Sequence, residues 1–282
     1  MIFTREDLRP TPTYPTYPPY HVGDYIEDYF YNRFVQNNPI VSRDYIAISW
    51  TTLYCENKTD GLQNFLNSLD TTKKYFTVCQ HDEAPKHSLP PDTLIFSLSQ
   101  SCKNPNNINP IPIPATCSSI PISEQTENKN IFASFVGSFT HPIRHELYNI
   151  CKNQPNYYFS GQNWNSVVQK SKLNEHIEIT SKSKFCLCPR GYGNTSFRLY
   201  EAMQLGAVPV YISNDFFLPW SDELDWNEFC VIIDSKNLHD VPSILSSISN
   251  EKINEMSNKA KDIYYKYFTL DKTYTNIIKR IV

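Results

Sequence analysis

The hydrophobic residues of this chain fall into short apolar runs that alternate with longer segments in which apolar residues recur at helical spacing. A short apolar run predicts a buried strand, and the helical spacing predicts an amphipathic helix. The predicted strands are residues 45–50, 75–79, 94–98, 131–136, 157–160, 185–188, 207–212 and 231–233. The predicted helices are residues 24–34, 61–69, 142–150, 197–205, 241–248 and 251–267. Strands that alternate with helices indicate βαβ units, so the predicted fold class is α/β with mostly parallel sheets.

Residues 183–212 carry the clearest of these patterns. A buried strand is broken by the sequence Pro-Arg-Gly-Tyr-Gly at positions 189–193, and Asn194, Thr195 or Ser196 can then cap a helix. Gly206 stands where a helix commonly ends in the left-handed conformation. This strand–loop–helix–strand unit presents backbone N–H groups and the positive end of a helix, which suits an anion such as a phosphate.

Charged side chains in this unit allow two interpretations. Arg198 and Glu201 are three residues apart on one helix face, and Arg190 lies in the loop before them. An arginine can grip a diphosphate through paired hydrogen bonds, and a carboxylate can accept both hydroxyls of a ribose. The same pattern also suits a surface ion pair beside a structural turn. The residue types alone leave both interpretations open.

The composition of residues 103–129, rich in Asn, Pro and Ser, is typical of a linker, and we place the domain boundary after residue 128. The prediction is therefore two Rossmann-like domains, residues 1–128 and 129–282, with a cleft between them. The last helix is a candidate to cross back to the first domain. Residues 1–20 are rich in Tyr and Pro and predict an extended arm. A role as a proline-rich docking ligand is less favoured because basic residues are sparse there.

The overall composition excludes several classes of function. The chain is 40% hydrophobic and 20% charged with a net charge of −3, which argues against a nucleic-acid-binding protein. No apolar run approaches the roughly 20 residues that cross a bilayer, and the first residues lack a signal-peptide pattern. We therefore expect a soluble, cytoplasmic chain. The eight cysteines are dispersed, and no second Cys or His pair follows Cys186 and Cys188, so we expect small core residues and no metal site.

The predicted strand 75–79 ends in a cluster of polar residues, Gln80, His81, Asp82 and Glu83. Ligands of parallel α/β sheets bind beyond the carboxyl ends of the strands, so this cluster is a candidate edge of an active site. Structural roles are open to these residues as well: Asp82 could cap a helix or pair with a lysine, and for His81 we favour local packing or hydrogen bonding.

Three segments resemble the exostosin-like inverting glycosyltransferase family. Residues Ser183–Ile233 are similar to its signature FCLxPxG…S-x-R…EA…G-x-VPV…LPF…DW…FSV, in order and nearly without gaps. Residues Asn130–Leu147 resemble its FxFFxG…R…L segment. Residues Phe76–Pro85 are similar to the HDWAP-type segment of plant members, except that Glu83 replaces the usual Trp. The resemblance is most specific over residues 131–233.

The resemblance implies a GT-B type fold, in which two Rossmann-like domains face each other across a cleft. It also implies a UDP-sugar donor, a glycan acceptor, inversion at the anomeric carbon and no essential metal. Glu201 would accept the ribose hydroxyls, and three arginines would hold the diphosphate with the help of backbone N–H groups. The donor-binding residues that the resemblance assigns are Arg144, Arg190, Gly191, Thr195, Ser196, Arg198 and Glu201.

The expected reaction is direct displacement, with a carboxylate of the first domain taking the proton of the acceptor hydroxyl. Asp82 is the first choice for this base, Glu83 is the alternate, and His81 lies beside both. Xylose is the mildly favoured sugar, by analogy with plant xylan-building members. The alternative is a non-catalytic nucleotide- or glycan-binding partner of an active transferase. A nucleotide-dependent oxidoreductase would need a G-x-G-x-x-G fingerprint, which the sequence lacks.

Overall fold

The computed structural model describes residues 1–11, 26–83, 85–101, 104–115, 120, 129–164 and 170–282. The chain divides into two compact units. Unit 1 comprises Met1–Ala115 together with Leu270–Val282, and unit 2 comprises Thr116–Thr269. The division therefore falls before the boundary that we predicted after residue 128, and the C-terminal segment belongs to the first unit. Most of the Tyr/Pro-rich arm, from residue 12 onwards, lies outside the described residues.

Unit 1 contains a parallel five-stranded sheet in which the strands follow one another in sequence order. Its strands are β1 (Ile2–Phe3), β2 (Asp44–Ile46), β3 (Tyr75–Cys79), β4 (Leu94–Ser97) and β5 (Ile111–Pro112). Its helices are α1 (Ile26–Asn37), α2 (Trp50–Cys55), α3 (Leu62–Asn67) and, from the end of the chain, α9 (Leu270–Ile281). Large apolar side chains, Trp50 and Tyr75 among them, fill the core on one face of the sheet.

Two sequence predictions for unit 1 need correction. The strand predicted over residues 45–50 ends at Ile46, and Trp50 instead begins helix α2. The buried Trp50 ring explains its hydrophobic position, because its Nε1 donates a hydrogen bond of 2.8 Å to Thr77 Oγ1. The first residues, expected as part of an extended arm, include Ile2 and Phe3, which pair with β2.

Unit 2 contains a second parallel five-stranded sheet, with the strand order β10-β9-β8-β6-β7. Its strands are β6 (Ile131–Ser138), β7 (Tyr157–Gln162), β8 (Ser183–Pro189), β9 (Val208–Ser213) and β10 (Val231–Asp234). Its helices are α4 (Pro142–Cys151), α5 (Lys170–Ser181), α6 (Phe197–Gln204), α7 (Val241–Ser246) and α8 (Asn250–Ile263). The two units confirm the predicted α/β class with two Rossmann-like domains.

The strand–loop–helix–strand unit predicted over residues 183–212 is present as β8, α6 and β9. Gly206 follows α6 with φ +71°, the left-handed conformation that favours glycine. Its carbonyl oxygen accepts hydrogen bonds from Lys129 Nζ at 2.7 Å and from Ser257 Oγ at 2.6 Å. The end of α6 is therefore fixed from two sides, which sets the position of the helix relative to the sheet.

Candidate donor-binding site at the edge of the second sheet

The strand order of unit 2 reverses direction at β6. The chain runs from β6 to β7 on one side, and then returns to β8 on the other side of β6. At such a switch point the loops that follow the two adjacent strands leave in opposite directions and open a crevice at the carboxyl edge of the sheet. The loop after β8 and helix α6 lie at this edge, as does the loop between β6 and α4. All seven residues assigned to the donor lie in these segments or in α4 and α6.

Arg144 on helix α4 joins the ends of β6 and β8. Its side chain is buried and donates to three backbone carbonyls: Nε to Arg190 at 3.0 Å, Nη1 to Ser138 at 2.6 Å and Nη2 to Pro189 at 3.1 Å. Gly191 leaves room for this guanidinium, since a Cβ atom there would lie 3.1 Å from Arg144 Nη2. These bonds make Arg144 an anchor of the sheet edge.

Arg190, also buried, ties the loop after β8 to the loop after β9. Its Nη1 donates to Asn214 Oδ1 at 2.7 Å, and its Nη2 donates to the Tyr192 carbonyl at 3.0 Å. A second link joins the same loops, because Asn194 Nδ2 donates to Asp215 Oδ2 at 3.1 Å. The two loops are thereby held in one arrangement next to the N-terminus of α6.

Ser196 takes the N-cap position of α6 with extended backbone angles of φ −150° and ψ 132°. Within the described part of the chain its side chain makes no capping hydrogen bond. The loop in front of it is closed by a backbone bond of 3.2 Å from the Gly191 N–H to the Thr195 carbonyl. The N–H groups at the start of α6 are thus left uncapped by this serine.

Arg198 and Glu201 form a partly buried ion pair that reaches across to β6. Arg198 Nε donates a hydrogen bond of 2.7 Å to the Val136 carbonyl, and its Nη1 donates to Glu201 Oε2. The Glu201 side chain is fully buried, whereas that of Arg198 is 25% exposed. Arg198 therefore connects a buried carboxylate to the protein surface at the carboxyl end of β6.

His176 on helix α5 is a member of this site that sequence reasoning missed. Its Nε2 lies 3.1 Å from Glu201 Oε2, and both side chains are buried. Burial raises the pKa of a carboxyl group, but the Arg198 charge and His176 together lower the pKa of Glu201 to about 2. Burial and the Arg198 charge lower the pKa of His176, so at pH 7 the site holds an ionised Glu201 beside a neutral imidazole.

The three candidates for the catalytic base follow β3 in unit 1. Asp82 is exposed, and its backbone carbonyl accepts bonds from the N–H and the hydroxyl of Ser101. The Glu83 carboxylate pairs with Lys86. Burial and the Lys86 charge lower the pKa of His81 to about 4, so its imidazole is neutral at pH 7. Asp82 is thus the more exposed of the two carboxylates in this cluster.

Unit 1 also contains a buried carboxylate that we did not predict. Glu27 accepts hydrogen bonds from the N–H of Thr51 at 3.1 Å, from the Thr51 hydroxyl at 2.9 Å and from the N–H of Gln80 at 2.6 Å. Burial raises its pKa to about 8. A sequence signal was available, since Glu27, Phe30 and Phe34 share one face of the predicted helix. Glu27 joins α1 to the start of α2 and the end of β3.

Glu27 predicts a pH dependence of stability. A carboxyl group whose folded pKa of about 8 exceeds its ordinary 4.5 binds more protons in the folded state between these values, so the free energy of unfolding falls as pH rises. One proton gives a slope of at most about 1.4 kcal/mol per pH unit. We expect Glu27→Gln to remove this slope in urea unfolding between pH 6 and 8. Equal slopes for the variant and the wild type would contradict the assignment.

Comparison with known proteins supports a family assignment. The family model for the Exostosin GT47 domain matches residues 50–248. Among curated proteins, an Exostosin-1 homolog of Caenorhabditis elegans is 32% identical over 108 residues, which cover 38% of this chain and 28% of that protein. Exostosin-1b of Danio rerio is 39% identical over 95 residues, which cover 34% of this chain and 13% of that protein. The chain thus spans only a small part of these relatives.

Solved structures show likeness at low identity. WaaG, a glycosyltransferase involved in lipopolysaccharide biosynthesis, matches with a TM-score of 0.46 at 10% identity, over 91% of this chain and 95% of that one. An alpha-glucosyltransferase in complex with UDP and DNA matches with a TM-score of 0.47 at 8% identity, over 90% and 83% of the two chains. We draw nothing about function from these likenesses. Within the described residues, no helix combines the length and the apolar character needed to span a bilayer.

Proposed function

This chain belongs to the Exostosin GT47 family, and we propose that it is a glycosyltransferase that moves a sugar from a UDP-sugar donor to a hydroxyl group of a glycan. The observation that carries the proposal is the Arg198–Glu201 pair at the switch point of the second sheet. A partly exposed guanidinium fixed beside the carboxyl ends of β6 and β8 is suited to an anionic ligand.

The diphosphate of the donor is the group that this edge would bind. We propose that Arg198 contacts it directly, together with backbone N–H groups at the start of α6, which the Ser196 side chain does not cap. Arg144 and Arg190 would add positive charge, but their hydrogen bonds to carbonyl and amide oxygens also fix the loops that surround the ligand. Charge fixed in this way would stabilise the departing UDP during displacement.

Glu201 would have two tasks in this scheme. Its Oε2 holds Arg198, and among the described residues its buried Oε1 has no hydrogen-bond partner. A ribose hydroxyl would supply the missing donor. Because the carboxylate is fully buried, we propose that holding Arg198 is its first task.

For the chemical step we propose inversion by direct displacement, with Asp82 as the general base. Asp82 is exposed, while the Glu83 carboxylate is engaged by Lys86 and the low pKa of His81 makes the imidazole a weak base. Transfer from a set of UDP-sugars to candidate glycans, with the product linkage read by NMR, tests this scheme. We expect UDP-xylose to be used and the anomeric configuration to invert, and a retained configuration would refute direct displacement.

We further propose that the reaction needs no metal ion. Among the residues that the structure describes, no group of three His, Cys, Asp or Glu side chains is placed to hold one. Arginine charge and backbone N–H groups would stabilise the negative charge of the departing UDP in place of a metal ion. Activity should therefore persist, within about twofold, after dialysis against EDTA. A loss that Mn²⁺ or Mg²⁺ restores would contradict this part of the proposal.

The second candidate function is a non-catalytic partner that binds a nucleotide or a glycan. It is favoured by Glu83, which replaces the Trp of the HDWAP-type segment and pairs with Lys86. Slow hydrolysis of a UDP-sugar in the absence of any acceptor separates the two functions. Release of UDP above the rate of an Arg198→Ala variant would establish an enzyme, whereas tight UDP binding without any release would favour the partner.

A further inference from the structure

His176 is a buried titratable residue whose surroundings point to a task. It lies on α5, and its Nε2 is 3.1 Å from Glu201 Oε2. Its other ring nitrogen, Nδ1, lies 3.2 Å from the hydroxyl oxygen of Thr180, one turn further along the helix. Both ring nitrogens therefore face buried polar atoms. A buried imidazole in this position is costly unless each nitrogen has a suitable partner.

The neighbours of His176 select one tautomer of the ring. The ionised Glu201 carboxylate repels a lone pair on Nε2 and favours a proton there. Nδ1 then accepts a hydrogen bond from the Thr180 hydroxyl, which can donate. Burial and the Arg198 charge lower the pKa of His176, in agreement with a neutral ring. The Nε2–H then lies next to Glu201 Oε2 without the alignment of a full hydrogen bond, so His176 acts on the carboxylate through the dipole of its N–H group and adds no second positive charge beside Arg198.

Glu201 in turn determines where Arg198 lies. The carboxylate accepts from Arg198 Nη1 while Arg198 Nε bonds the Val136 carbonyl. If the Glu201 side chain rotated, Arg198 would lose this ion pair while keeping its bond to β6. A chain of contacts therefore runs from Thr180 through His176 and Glu201 to the partly exposed guanidinium of Arg198. Each buried link restricts the next one.

We propose that His176 is a positioning residue for the nucleotide donor: its neutral ring, with Nε2 in contact with Glu201 Oε2, keeps the carboxylate in the orientation that directs Arg198 at the diphosphate. The inference rests on the proposed function and adds a residue from a helix outside the strand–loop–helix unit. The same arrangement predicts that His176 has no contact with the donor and acts only through Arg198.

Two polar substitutions test this inference. The side-chain amide of His176→Gln reaches the position of Nε2, whereas that of His176→Asn reaches only the position of Nδ1. We expect His176→Gln to keep the Kd for UDP within about threefold of wild type. His176→Asn, which withdraws the polar N–H from the Glu201 carboxylate, should weaken UDP binding about tenfold. Calorimetric titration measures both, and Cys151→Ala, in the core of the same unit, controls for general loss of stability.

A background that lacks Arg198 separates positioning from a structural role. In Arg198→Ala protein the His176→Asn substitution should cause no further loss of UDP affinity, since residues that act through one another are not additive. Equal losses for the Gln and Asn variants, or the same tenfold loss without Arg198, would overturn the inference. If wild type itself binds no UDP, the proposed function fails and the inference fails with it. If both polar variants misfold, Thr180→Val decides, with an expected loss of about threefold and refutation by unchanged affinity.

Discussion

Replacing Glu201 with alanine is expected to weaken UDP binding by more than tenfold. The substitution removes the carboxylate that pairs with Arg198 and keeps the bond of this arginine to the Val136 carbonyl. Loss of a hydrogen bond to a charged group costs about 1.5–3 kcal/mol, which exceeds a factor of ten in Kd. Calorimetric titration with UDP measures the effect. Glu228→Ala, which removes an exposed carboxylate paired with Lys259 in the same unit, is the matched control and should leave the Kd unchanged.

Separate titrations with uridine and with pyrophosphate, the two parts of UDP, show which task of Glu201 dominates. If Glu201 acts by holding Arg198, Glu201→Ala should weaken pyrophosphate binding as much as UDP binding and should spare uridine. If Glu201 accepts the ribose hydroxyls, the loss should appear with uridine and be absent with pyrophosphate. Glu201→Gln keeps the side-chain volume and guards against misfolding of the alanine variant. Unchanged affinity for all three ligands would remove Glu201 from the donor site.

The second large effect is expected from Asp82→Asn. If Asp82 accepts the proton of the acceptor hydroxyl, the amide should lower transfer by about 10²–10⁴-fold while the Kd for UDP stays unchanged. Because Asp82 is exposed, its replacement should not disturb folding, so such a loss would reflect the chemical step. Initial rates of transfer at saturating UDP-sugar provide the measurement. Asp92→Asn, at another exposed carboxylate of unit 1, should retain wild-type rates.

If Asp82→Asn keeps its activity, the other candidates for the base can be tested in turn. Near-normal turnover of Asp82→Asn would exclude Asp82, and Glu83→Gln would then be the next variant to measure. Because Lys86 pairs with Glu83, loss of activity in Lys86→Met as well would indicate that this ion pair matters. Activity in every one of these variants would favour a base elsewhere in the chain.

The sequence predicted local structure well where one short segment contains all the determinants. The run of β8, loop, α6 and β9 depends on a Pro-Gly break and on Gly206, both within thirty residues, and the structure confirms it. Ser196 takes the predicted N-cap position without a capping hydrogen bond from its side chain. The predicted strand at residues 45–50 was wrong beyond Ile46 because the buried Trp50 belongs to a helix and not to a strand. Periodicity in such a short run cannot separate these two cases.

The contacts of the site depend on tertiary structure, which the residue types do not reveal. Arg144 and Arg190 were predicted as diphosphate ligands, and that role stays a prediction. The structure shows that both guanidinium groups also donate to oxygens of the surrounding loops. His176 was missed because it lies on a separate helix, and only the strand order of unit 2 brings that helix beside α6.

Binding of nucleotides to the wild-type chain tests the central claim most directly. Calorimetric titration with UDP, GDP, ADP and CDP, without added metal, compares four nucleotides that carry the same diphosphate group and differ in the base. The proposed donor site predicts saturable binding of UDP, at least tenfold tighter than that of the other three, and UDP binding at least tenfold weaker in Arg198→Ala. Absence of binding by every nucleotide, or binding that Arg198→Ala leaves unchanged, would contradict the account.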